Sequence, residues 1–200
     1  MILTLPQTYE EMIAAMLRCE QTKGQTVYQH GLAVSQNIHE IIDFLKHGTP
    51  LDGWRVPDWL KDFGPQILAN LHDEQRIHQY ALLHDCGKPF CKEVDSEGKV
   101  HFPDHAKVSK EVYLAVGKDP IVARLIGWDM ILHTAMAEDV WEYCEGIWTI
   151  QDAFTLLIAS LAEIHANSKL FGGIESVSFK SKFKKLDRRG NQICKHMFRV

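Results

Sequence analysis

Five apolar residues, Val27, Val34, Ile38, Ile41 and Leu45, recur at three-, four- and seven-residue spacing and so share one stripe of a helix. Thr26 precedes the stripe with Gln29 three residues on, a reciprocal pattern that caps a helix start, and Gly48 follows where a helix can stop. Such a stripe has to be buried against other elements, and similar start signals recur along the chain. Thr8 is followed by Glu11 and Thr149 by Asp152, while Asp119 and Pro120 read as a cap and a first-turn proline. The helix opened at Pro120 is predicted to pass Leu125, Ile126 and Met130 and to end at about His133. A longer segment over 149–171 is predicted to stop at Gly172 and Gly173. Strand signals are few: a hairpin over 93–102 around Asp95-Ser96-Glu97-Gly98, and an alternation over 178–183. The chain is therefore predicted to be all-α, a helical bundle with a small hairpin or an irregular basic C-terminal tail.

Two hundred residues without repeats or low-complexity linkers suit one domain over 1–200, with a core over about 26–173 and a basic segment over 174–200. Residues 47–66, broken by Pro50, Gly53, Pro57, Gly64 and Pro65, are expected to be a surface loop pinned by Trp54 and Trp59. A hydrophobic share of 46% against 24% charged residues excludes a disordered or collagenous chain. No run of eighteen apolar residues offers a membrane span, and residues 1–11 do not form a secretory signal. Five cysteines, an odd number at irregular spacing, are expected to be reduced thiols of a cytoplasmic protein. The net charge of -4 is unevenly spread: residues 180–200 hold eight Lys or Arg and one acid, a local +7 that leaves -11 on the rest.

The chemistry concentrates at Tyr80-Ala-Leu-Leu-His84-Asp85-Cys-Gly-Lys88-Pro89. An apolar run delivers an adjacent His and Asp to a helix end, Gly87 turns the chain, and Lys88 follows. Imidazole suits mid-row transition metals, and a carboxylate can bridge two ions. Gly87 would let the backbone approach whatever those ions hold. A second pair, His72-Asp73, sits among charged residues with no Gly-Lys after it and reads as a solvated helix face. Cys86, within the motif, is expected to pack in the core.

The His84-Asp85 motif resembles the signature of the HD-domain superfamily, metal-dependent enzymes that are mainly phosphohydrolases. The family pattern is His, then His-Asp, then Asp, with two further His in its two-metal branches. On that resemblance His30 matches the first ligand, although a lone His on an apolar stripe is more often a core residue. His105 matches the His after the doublet, with His101 as its rival, and His133 matches the fourth. Glu163 stands where the family has Asp; a glutamate can ligate the same ions with longer reach. The alternative is that Glu163 answers a cation across the bundle. Asp152 and His165 are further side chains on that helix, one at its start and the other pointing elsewhere.

The resemblance implies two divalent ions (of Mn, Fe, Co, Ni, Mg or Zn). His30, His84, Asp85 and Glu163 would hold one, and Asp85, His105 and His133 the other. It further implies Lys88 as a phosphate-facing catalytic residue beside Asp85. The activity implied is hydrolysis of a phosphoester or phosphoanhydride in a nucleotide-like substrate by a metal-activated water. Two other functions fit: a mixed-valent di-iron oxygenase with the same ligands, and a metal-stabilised nucleic-acid or nucleotide-binding module. The basic residues over 180–200, interleaved with phenylalanines, would serve a nucleic-acid partner by neutralising phosphates. An electrostatic funnel for a small anionic substrate is preferred, because the rest of the chain is acidic.

Overall fold

Thr26 and Gln29 exchange the two hydrogen bonds of a capping box, 2.9 and 3.2 Å long. Thr149 and Asp152 do the same at 3.1 and 3.0 Å, and the Asp119 carboxylate accepts from the backbone N–H of Ile121 at 2.8 Å. Each satisfies donors that a helix start leaves without a partner. The protein is described by a computed structural model over residues 5–136 and 138–198. Residues 1–4, Ala137, Arg199 and Val200 lie outside the described residues, Arg199 being one of the cations counted in the C-terminal segment. In chain order the elements are α1 (Tyr9–Arg18), β1 (Glu20–Thr22), β2 (Gln25–Thr26), α2 (Val27–His47), α3 (Asp58–Asp62), α4 (Gly64–Ala69), α5 (Glu74–Leu83) and α6 (Lys88–Cys91). Then follow β3 (Glu93–Val94), β4 (Val100–His101), α7 (His105–Val116), α8 (Pro120–Trp128), α9 (Ile131–Thr134), α10 (Asp139–Gly146), α11 (Ile150–Ala166) and α12 (Val177–Phe198). The protein is predominantly α-helical. Among the described residues no helix is long and apolar enough to cross a membrane.

The chain forms two compact units. The first comprises Met1–Ala33 and Gln75–Asp129. Here α7 packs on α8 and α6, and α1 lies against α6, α7 and β2. Met12, Met16, Ile77, Leu83, Val112, Val122 and Ile126 are buried. Two glycines allow close approaches. A Cβ at Gly31 would lie 2.2 Å from the Leu82 carbonyl oxygen, and one at Gly87 would lie 2.3 Å from the backbone nitrogen of Ser109. Gly87 is therefore needed for the approach of α7, and its N–H donates to Ser109 Oγ at 2.9 Å. The predicted hairpin is present, with Glu93 opposite His101 and Val94 opposite Val100. A second, β1–β2, was not anticipated; it is too short for an alternating pattern to register, and Gly24 turns it at φ +80°.

The second unit comprises Val34–Glu74 and Met130–Val200. Its C-terminal helix α12 packs against α3, α9, α10 and α11. The irregular tail and the alternation over 178–183 are thus corrected to one helix of 22 residues. Phe179, Leu186, Gly190 and Ile193 are buried at three-, four- and seven-residue spacing, a helical stripe that a six-residue window mistakes for a strand. Gly190 admits Trp59, whose Nε1 lies 2.4 Å from where a Cβ would stand. Trp59 and Leu60 are fully buried, so part of the expected surface loop is instead α3 and α4. The helix opened at Pro120 stops at Trp128, and His133 stands on the separate short helix α9. Arg189 closes that helix: its guanidinium donates to the Leu132 carbonyl at 3.0 Å and, through Nε, to the Ala135 carbonyl at 2.8 Å.

Candidate metal centre

The first unit gathers its polar side chains around one carboxylate. Helix α5 ends at Leu83 and a tight turn over 84–87 carries His84 and Asp85 inward, both almost wholly buried. Asp85 Oδ2 lies 3.3 Å from His84 Nε2 and 3.7 Å from His30 Nε2. Its other oxygen, Oδ1, lies 3.7 Å from His105 Nε2. His30, in the first turns of α2, is fully buried and meets the His84 ring edge to face at 5.2 Å between centroids. His105 is the first residue of α7.

The tautomers are set from behind. His84 Nδ1 sits 2.8 Å from the Ala81 carbonyl, and His105 Nδ1 sits 3.1 Å from the Phe102 carbonyl. A carbonyl only accepts, so each Nδ1 donates to it and each Nε2 is left turned towards Asp85. A backbone carbonyl behind a ligating imidazole is a usual way of orienting it. His30, His84, Asp85 and His105 are thus a nitrogen-rich donor set that could hold a divalent ion, with the two carboxylate oxygens turned to different histidines.

Lys88 completes the group. Its ammonium donates to Asp85 Oδ2 at 2.5 Å and to Gln21 Oε1 at 2.7 Å, with only 11% of the side chain exposed. Burial alone would push the Asp85 carboxyl up, but Lys88, His84 and His30 outweigh it and hold the group well below the usual carboxylate range. Gln21, on β1, was missed by sequence reasoning because one glutamine in a short hairpin carries no signal. Tyr80, which opens the motif, meets the His84 ring edge to face, and its hydroxyl donates to Asp129 at 2.7 Å.

The competing residues fall elsewhere. His101 pairs with Asp95 at 2.7 Å on the exposed hairpin. The His72-Asp73 pair is not on a helix face: it lies before α5, and His72, 10% exposed, meets the fully buried Asp152 at 2.9 Å. The solvated-face reading is thus corrected for His72, while Asp73 is exposed. Burial raises the Cys86 thiol, whose Sγ donates to the Ser109 carbonyl at 3.3 Å, consistent with a neutral core residue.

In the second unit His133 Nε2 lies 2.9 Å from Glu163 Oε2, and both side chains line a cavity of about 210 Å³. His165 points away from that pair: Nε2 lies 3.2 Å from the Arg55 carbonyl, and the ring stacks on Trp54. Of the six proposed ligands, the structure brings four together in the first unit, with Lys88, and pairs the other two in the second. No family model, curated protein or solved structure matches the chain. The functional reading rests on the residues themselves.

Proposed function

We propose that the protein is a metal-dependent phosphohydrolase of the HD type, cleaving a phosphoester or phosphoanhydride in a nucleotide-like substrate. One observation carries the reading: a buried carboxylate whose two oxygens face three imidazole Nε2 atoms, two of them oriented by backbone carbonyls. Divalent ions held there would supply an activated water and a clamp on phosphoryl oxygens. Asp85 is held towards its ionised form, and the Ala81 and Phe102 carbonyls orient His84 and His105 so that each Nε2 faces it. Lys88 balances the Asp85 charge and places a cation where a phosphoryl oxygen would be received.

The test is metal content and turnover in a purified Asp85→Ala variant whose circular dichroism matches the parent. Mono-, di-, tri- and dinucleotides are offered with Mn²⁺, Co²⁺, Ni²⁺, Mg²⁺, Zn²⁺ and Fe²⁺ added singly, in air and anaerobically. Asp85→Ala is expected to lose bound metal and all turnover, while His101→Ala keeps both. Full metal occupancy in Asp85→Ala overturns the site, and product that requires both iron and oxygen overturns the hydrolytic reading.

A further inference from the structure

The cavity in the second unit has a charge that the His133–Glu163 pair does not explain. Lys182 and Lys185, one turn apart on α12, line it together with Arg189, against a single carboxylate, Glu163. With neutral imidazole the balance of the lining is therefore +2. Arg189 is committed to the α9 carbonyls, which leaves the two lysines to meet a ligand. Lys182 holds its ammonium 4.9 Å over the Phe171 ring, a cation–π contact that fixes the charge at the cavity wall. Met130, Leu186 and Phe171 are the apolar part of that wall, and both lysines keep exposed stems that let their ammonium groups reach a ligand.

At about 210 Å³ the cavity is below the roughly 300 Å³ at which sites for drug-sized ligands begin. It suits a compact anion and not a whole nucleotide. Lys185 and Arg189 also line a second, more open cavity with Arg188 and one carboxylate, Glu138, so cationic groups outnumber acidic ones beyond the first as well. A linear chain of phosphates has the size, charge and length for this arrangement.

We infer that Lys182 and Lys185 form a binding site for linked phosphates, which makes a substrate with a di- or triphosphate end the favoured class. That substrate assignment rests on the phosphohydrolase reading; the binding site does not. Lys182 and Lys185 would donate charge-assisted hydrogen bonds to non-bridging phosphate oxygens.

The probe is inorganic triphosphate, titrated calorimetrically into the whole protein in a metal-free buffer containing chelator. Lys182→Gln/Lys185→Gln is compared with Lys184→Gln/Lys195→Gln, which removes the same charge from the same helix outside both cavities. The cavity pair is expected to raise Kd at least tenfold and the control pair less than threefold. Equal weakening by the two pairs overturns the site in favour of general attraction by a basic helix, and so does absence of triphosphate binding by the parent. Because chelator is present, loss of the hydrolytic reading through Asp85 leaves this outcome readable.

Discussion

His165 makes stability depend on acidity in a way that can be measured at one residue. The residue is 8% exposed, its ring lies between Trp54 and Phe179, and burial pulls its pKa down from 6.5 to about 4. The unfolded chain therefore takes up a proton there before the folded protein does. Stability is present in full above about 6.5 and is lost as the pH falls towards 4. At roughly 1.4 kcal/mol per pH unit, that interval is worth about 3 kcal/mol. His165→Phe removes the titration and keeps an aromatic ring, but it strips the Arg55 carbonyl of its donor at a cost of about 1 kcal/mol. Urea unfolding at 25 °C in metal-free buffer should then find the variant about 1 kcal/mol weaker at pH 7.5. The two stability curves should cross near pH ~6, and the variant should be stronger by about 2 kcal/mol at pH 4. The other histidines contribute equally to both proteins and cancel. A difference that stays constant from pH 7.5 to 4 would refute the reasoning.

Gly87→Ala should cost at least about 3 kcal/mol in urea unfolding, because a Cβ there meets the α7 backbone and not a yielding side chain. Gly87 has ordinary helical φ and ψ, so an effect below 1 kcal/mol would mean that α7 moves aside easily. His72→Ala should lower stability by about 3 kcal/mol, since it leaves the buried Asp152 carboxylate without its imidazole, while metal content per folded molecule stays unchanged. A loss of bound metal in that variant would return the His72-Asp73 pair to consideration as part of a site.

The all-α class was legible because its signals are local. Thr26 with Gln29 and Thr149 with Asp152 lie within one turn, and each cap forms where its residues predict. The buried stripe of α12 was equally present in the sequence but was lost to a window of six residues. The side chains around Asp85 were named from the motif and its neighbours, yet nothing in the sequence announced that backbone carbonyls would orient His84 and His105. Long-range pairings were invisible for a different reason. His72 meets Asp152 across 80 residues, Arg189 meets Ala135 across 54, and Lys88 meets Gln21 across 67. Periodicity says which side of an element is buried, not which distant group faces it, and a histidine that looked solvated proved to be the partner of a buried carboxylate.

Both compact units are assembled from two stretches of chain, and this sets an order for synthesis. The first is complete in sequence once residue 129 has left the ribosome. The second has its early part, residues 34–74, made long before α12, the helix that packs on α3, α9, α10 and α11. Those early residues include Trp59 and Leu60, fully buried in the finished protein, and the gap that receives Trp59 is at Gly190. At about 5–20 residues per second, roughly four to fourteen seconds separate the synthesis of Met130 from that of Val200. Throughout that interval a tryptophan and a leucine destined for the interior lack the cover that α12 brings, so the nascent chain is most open to chaperones, proteases and aggregation just before α12 arrives.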